Sequence, residues 1–437
     1  MSGSIINCVT KKIVYYIAVE LASPLCISKG DGVLTDNDVL VNGKGIPFIP
    51  GSSLAGAMRG YIEKEKNEDC IFGYEDMSNH QGRMSSLYVT DLFFDGAAPV
   101  AVRDGVALSD RKTAVSGAKF DMEVVDTGAK GHFYLELVIR QNDDEQELLS
   151  QLKKIFNGWH KKEIRMGSKK SRGYGEISLV EVKKKEFTKD NILQYKYAYD
   201  EECKKAQKGN ELSWEIISLR DLSYDCSKYV KITVPLKLEG GISIRKYAAK
   251  KGEPDFVHVT TNGKPVIPGT SFAGAIRHRM KEMLMELGAL NWETIINHIF
   301  GYVSQDGTNG NACISNVIIG ECVLEGAKKL TMVRNGISRF ESGAKESALF
   351  KEVSYVGGTT KLEILVKKTE DVSEIIGLLL LVLKDVQNGF LPVGGQTAVG
   401  RGLFTVNEKE NGGEIEISSE KTEEEYLKAA YGALRRE

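Results

Sequence analysis

The chain has 437 residues, more than one ordinary hydrophobic core accommodates and a comfortable length for two domains of roughly 200 each. Its 58 Lys and Arg nearly cancel 60 Asp and Glu, so a net charge of −2 removes any bulk attraction for nucleic acid, although cations segregated onto one face would restore it locally. Seven cysteines without a Cys-x-x-Cys pair argue against a disulfide framework or a zinc site. No N-terminal signal peptide is legible, and the most apolar run, 375–383, is about half of what a bilayer crossing requires, so the expected compartment is the cytoplasm.

In chain order, 12–19 reads as a strand rich in β-branched and aromatic residues, followed by a polar, glycine-containing loop over 28–45. Next comes Ile49-Pro50-Gly51-Ser52-Ser53-Leu54-Ala55-Gly56-Ala57-Met58-Arg59. Pro and Gly close a turn, and Ser52 supplies an N-cap hydroxyl for a helix running to about residue 66. Strands are expected over 86–94 and 133–140, an amphipathic helix over 147–159, a glycine-rich loop over 167–175 and a final strand over 176–182. Residues 183 to about 221 are charged and sparsely apolar, which reads as an extended or helical linker.

The order then repeats. A strand over 229–236 and a loop over 244–264 lead to Ile267-Pro268-Gly269-Thr270-Ser271-Phe272-Ala273-Gly274-Ala275-Ile276-Arg277, which opens a helix to about 287. Strands over 313–319 and 361–366, a helix over 371–387, a glycine loop over 394–402 and a strand over 403–406 follow. Ile71-Phe72-Gly73 returns as Ile299-Phe300-Gly301, Asp110-Arg111 as Ser338-Arg339, and Gly173-Tyr174-Gly175 as Gly400-Arg401-Gly402. Offsets of 218 to 228 over four collinear motifs mean a duplicated domain. The expected class is α+β, with domains over 1–183 and 228–407, a linker over 184–227, and an acidic tail over 408–437 ending in a helix over 423–435.

Three features carry chemistry. A helix start presents free N–H groups and partial positive charge, a seat for phosphate, and Arg59 and Arg277 lie two turns beyond Ser52 and Thr270 on the same face. A capped helix whose small residues pack on a sheet gives the same pattern; its recurrence with the arginine favours phosphate. The loop Gly167-Ser168-Lys169-Lys170-Ser171-Arg172-Gly173-Tyr174-Gly175 joins backbone freedom to cations, and Tyr174 offers a ring for stacking on a base; Lys161, Lys162 and Arg165 extend the basic run. The second loop keeps Gly400 and Gly402 but only Arg401 as a cation. Neither loop opens a helix, so Rossmann and Walker readings fail. Third, Asp31, Asp36 and Asp38, with Glu253 and Asp255 in the second copy, are able to orient a nucleophile or hold a divalent cation, although solvated turns use the same residues. The six histidines make no metal-ligand pattern, and His258 and His278 read as surface or packing residues.

The ordered set Ile-Pro-Gly-Ser-Ser-Leu-x-Gly-x-x-Arg, Ile-Phe-Gly, Gly82-Arg83, Thr90-Asp91, Asp110-Arg111 and Gly-Tyr-Gly resembles the Cas7-type RAMP proteins of type III CRISPR effectors. Two copies in one chain resemble the fused tandem subunits of III-D-like systems. The resemblance implies two ferredoxin-like, RRM-like βαββαβ domains with insertions. It implies a backbone subunit that binds guide crRNA, presents an aspartate to cleave complementary target RNA with Mg²⁺ or a similar cation, and assembles with Cas10-, Cas5- and Cas7-like subunits. Asp36 is then the catalytic candidate and possible metal contact, Asp38 its fallback, and Asp255 the counterpart in the second copy. The implied RNA contacts are Ser52, Ser53, Arg59, Lys169, Lys170, Arg172, Gly173, Tyr174 and Gly175, and Thr270, Ser271, Arg277, Gly400, Arg401 and Gly402. The family often carries Lys where Ala55 and Ala273 stand, and its histidine near the end of the first strand is Cys26 or Ser243 here. A non-catalytic RNA-binding scaffold and a guide-processing ribonuclease are the alternatives.

Overall fold

A computed structural model describes residues 8–435 except 29, 31, 33–34, 63–70, 77–80, 97, 110–112, 200–213, 222–226, 248–253 and 303–311. Asp31, Asp110, Arg111 and Glu253 therefore lie outside the described residues. The fold is mixed α/β, in two compact units. One comprises 1–101, 122–168 and 175–227; the other comprises 102–121, 169–174 and 228–437. Two segments of the first repeat's sequence thus belong to the second unit.

In the first unit, Val9–Leu21 lies between Lys130–Arg140 and Ile177–Phe187, antiparallel to both. Leu87–Val89 and Leu92–Phe94 pair with the other edge of Lys130–Arg140, so the sheet runs fourth, first, third, second strand. Alternation puts Ile13, Tyr15, Ile17, Leu135 and Leu137 on one face. Two helices cover that face. Helix α1, Gly51–Ile62, buries Leu54, Met58 and Ile62, an i, i+4, i+8 stripe that leaves Arg59 exposed. Helix α2, Glu145–His160, is capped by the Asp144 side chain and buries Leu148, Leu152, Ile155 and Trp159. The expected strand 86–94 is broken at Thr90-Asp91. Asp91 leaves the pleat because its carboxylate caps α1, where Oδ1 accepts the Gly51 N–H at 2.8 Å. The expected linker is partly sheet: Ile177–Phe187 runs past 183, and Glu215–Ile217 adds an edge strand.

The second unit repeats the order. Tyr229–Glu239 lies between Thr359–Lys367 and Leu403–Val406, with Val317–Ile319 beyond Thr359–Lys367. Helix α3, Gly269–Glu286, buries Phe272, Ile276, Met280 and Leu284, and the shorter α4 is Trp292–Phe300. Helix α5, Val372–Gln387, is apolar nearly all round because α6, Glu423–Leu434, packs against it at Gly377, where a Cβ would meet the Tyr426 carbonyl oxygen at 2.2 Å. A capping box of Thr422 and Glu425 starts α6, the helix expected in the acidic tail. Among the described residues no helix is long and apolar enough to cross a membrane.

Each repeat also carries a long antiparallel hairpin in the interval before its third core strand: Val100–Leu108 with Ala114–Val125, and Lys328–Ile337 with Ala344–Val356.

Candidate nucleic-acid interface

Both signature helices begin two residues earlier than expected, at Gly51 and Gly269. Pro268 is the N-cap of α3 and makes no side-chain bond, so Thr270 and Ser271 sit in the first turn and neither hydroxyl caps it. Ser52 and Ser53 hold the same places in α1. The glycine before each pair is demanded by close packing. A Cβ on Gly51 would stand 2.5 Å from the Val89 carbonyl oxygen, and one on Gly269 would stand 2.2 Å from that of Ile319. Ser52, Arg59 and Arg277 are exposed; Ser53, Thr270 and Ser271 are half-buried.

The glycine loops share one backbone course. Each contains a 3₁₀ turn, Lys170–Arg172 or Thr397–Val399, entered through a left-handed residue, Lys169 or Gln396, and left through Gly173 or Gly400. The Ser168 and Gly395 N–H groups donate to the Cys26 and Ser243 carbonyls, and those of Met166 and Val393 to Gly175 and Gly402. Gly175 and Gly402 each press so closely on that partner strand that a Cβ would lie within 2 Å of a carbonyl oxygen. The motif at these two positions is therefore an architectural requirement.

Side chains on the two loops divide sharply. Lys170, Arg172 and Gly400 are exposed, and the Lys169 ammonium lies 3.7 Å over the Phe120 ring. Tyr174 corrects the expectation of a stacking ring: it is only 5% exposed and packs inside. Arg401 likewise turns inward, its guanidinium 3.2 Å from the fully buried Glu352. Burial works against charge on Glu352, but the Ser243 hydroxyl, Arg401, Gln396 and Arg245 hold its carboxyl below the usual range. The first loop is pinned in a similar way by Arg165 and Glu176 at 2.8 Å. Burial again opposes charge on Glu176, while Arg165 and Lys162 lower its pKa.

The acidic loops also correspond in space. Asp36 is exposed and stands one residue before Asn37, which pairs in parallel with Met122 on the first hairpin. Asp255 is exposed and stands one residue before Phe256, which pairs in parallel with Glu352 on the second hairpin. One Asp255 oxygen accepts the Lys351 N–H at 2.8 Å. Asp38 is buried, its Oδ1 taking the Thr35 N–H and hydroxyl at 2.9 and 3.0 Å, so the fallback carboxylate is committed to shaping the loop. Of the histidines, His258 is buried and satisfied at both nitrogens, a packing residue. No group of three or more His, Cys, Asp or Glu able to hold a metal occurs among the described residues.

One residue escaped the sequence reading. Arg103 is buried within the second unit, hydrogen-bonded to Thr261 and 3.4 Å from the Glu321 carboxylate, itself bonded to Thr261 at 2.7 Å. A signal was present: Val102-Arg103-Asp104-Gly105 recurs as Val333-Arg334-Asn335-Gly336. Arg334 is half-buried, with a guanidinium nitrogen 3.8 Å from the Met332 sulfur.

The comparisons with known proteins agree with this duplicated geometry. None of the curated proteins compared matches the sequence. The family model for the RAMP superfamily matches residues 18–178 and again 248–405, most of both repeats. With one match on each copy of the helix start, acidic loop and glycine loop, the chain belongs to the RAMP superfamily, in general CRISPR-associated RNA-binding proteins.

Proposed function

We propose that this chain is a tandem Cas7-type backbone subunit of a type III, III-D-like, effector: it binds guide crRNA through both repeats and cleaves paired target RNA at Asp36. The strand order of each unit, with two helices on one face, supports a ferredoxin-like βαββαβ reading of each repeat. The observation that carries the function is the spatial match of Asp36 and Asp255, each exposed and one residue ahead of a parallel pairing with its hairpin. A grip made twice along one chain suits a polymer with a repeating backbone, and exposed Arg59, Lys170, Arg172 and Arg277 are the side chains that reach phosphate.

In the proposed reaction the Asp36 carboxylate accepts the proton of a target 2′-hydroxyl. The 2′-oxygen forms a bond to the adjacent phosphorus, the bond from phosphorus to the 5′-oxygen breaks, and solvent protonates the leaving oxygen. Among the described residues no three His, Cys, Asp or Glu side chains stand together, so Asp36 would share a divalent cation with RNA phosphates. Mg²⁺ enters the proposal only as an ion carried with the RNA phosphates. Guide, target and other effector subunits are the partners this reading requires.

The test is cleavage of target RNA by the assembled complex. Asp36→Ala removes one set of cuts, at least 100-fold in rate, with guide and target affinity within about twofold because a carboxylate adds no attraction for a ground-state phosphate. Asp255→Ala removes a neighbouring set if the second copy is active. Unchanged cutting in the double variant makes the chain a scaffold.

A further inference from the structure

The two helix starts are not equivalent. At α1 the chain supplies its own anion, the Asp91 carboxylate on the Gly51 N–H. The residue in the matching place of the second repeat is Glu321, and its carboxylate is turned to Thr261 and Arg103. What meets the start of α3 instead is the first repeat's glycine loop. A Cβ on Gly269 would lie 2.5 Å from the Arg172 carbonyl oxygen, and one on Gly173 would lie 2.7 Å from the Glu321 nitrogen. The turn Lys170–Arg172 is thus seated between two glycines that allow no spacing.

This contact brings Arg172 to Arg277. Both are exposed, and Arg277 spends one nitrogen on the neutral Asn297 amide oxygen at 3.1 Å. Among the described residues neither has a carboxylate at ion-pair distance, whereas nearby Arg279 is 2.7 Å from Asp385 and Arg401 is paired with Glu352. Partial burial, and next the charge of Arg172, lower the Arg277 pKa. Two like charges held together without an internal acid repel each other, and an anion between them relieves that repulsion.

We propose that Arg172 and Arg277 form one site for a single RNA backbone phosphate, completed by a loop from the first repeat and a helix from the second. It rests on the RNA-binding reading above and deepens it: the phosphate contacts do not divide one set per repeat. Two guanidiniums offer planar forks to a tetrahedral anion, a stronger and more directional grip than lysines provide.

The test uses the full chain and a fluorescent single-stranded RNA, read by anisotropy across a salt series. Arg172→Ala and Arg277→Ala each weaken binding about tenfold, and the double variant is no more than about twofold worse than either. The salt slope falls by about 1 in all three, since one phosphate is lost each time. Arg59→Ala, in contrast, multiplies with Arg172→Ala. Because both side chains are exposed, melting temperatures stay unchanged; if an alanine variant misfolds, Arg→Lys at the same position supplies the comparison. Multiplicative losses in the Arg172/Arg277 double variant overturn the shared site while leaving RNA binding intact. RNA affinity unmoved by all three substitutions sinks the functional reading itself. If the variants lose affinity only for inorganic phosphate, measured by calorimetry, the pair serves a free anion and the proposal falls.

Discussion

His258 is sealed inside the second unit with Nδ1 accepting the Ile244 N–H and Nε2 facing the Val266 carbonyl, each at 3.0 Å. Those partners require the neutral tautomer protonated on Nε2. Burial pushes its pKa down to about 4, below the ordinary 6.5. Between those values the unfolded chain binds the proton and the folded chain does not, so stability rises with pH and is lost as pH falls. Acidification from pH 7 to 5 should cost about 2 kcal/mol through this residue. His258→Asn, which keeps an acceptor for Ile244, should flatten that slope in urea unfolding at the two pH values; equal slopes in both proteins contradict the assignment. At this scale the sequence was a partial guide. Arg401 stands where Tyr174 stands in the first loop and both turn inward, Arg401 onto Glu352, a tertiary fact that their unlike side chains conceal.

Elements with a buried face were legible, because burial imposes a period. Helices α1, α2, α3, α5 and α6 and the core strands fall where apolar spacing puts them. The hairpins did not announce themselves. Residues along Lys328–Ile337 are mostly exposed, so no alternation of apolar and polar side chains marks them. The break at Thr90-Asp91 was equally silent, since it serves a helix 40 residues away. Removing that service has a measurable cost. Asp91→Ala should lower stability by about 1 kcal/mol, the usual loss for an N-terminal cap, with Asp91→Asn intermediate. An Asp91→Ala protein as stable as its parent in urea denies the cap its role.

The duplication was readable from the sequence, but it does not say which residues complete which unit. Residues 102–121 and 169–174 belong to the first repeat by sequence and to the second unit by packing. Cutting the chain between its repeats is therefore expected to yield a damaged second half. A fragment of 228–437 lacks Arg103, whose loss exposes Glu321 and Thr261, and lacks the turn seated against Gly269. It should unfold at a lower urea concentration than the same region does in the full chain, followed by hydrogen exchange of the α3 amides. Matching protection in fragment and full chain means the borrowed segments contribute nothing.

That borrowing also has a consequence in time. Chains emerge from the ribosome at about 5–20 residues per second. Residues 102–121 are synthesised before Thr261 and Glu321, and Arg172 before Gly269. The first hairpin, which carries Arg103, must wait on the order of tens of seconds for the remainder of the chain. During that interval an unsatisfied arginine and a bare strand pair are open to any neighbouring nascent chain. Slower translation would lengthen the wait, so yield of native protein should depend on how quickly the second repeat follows the first.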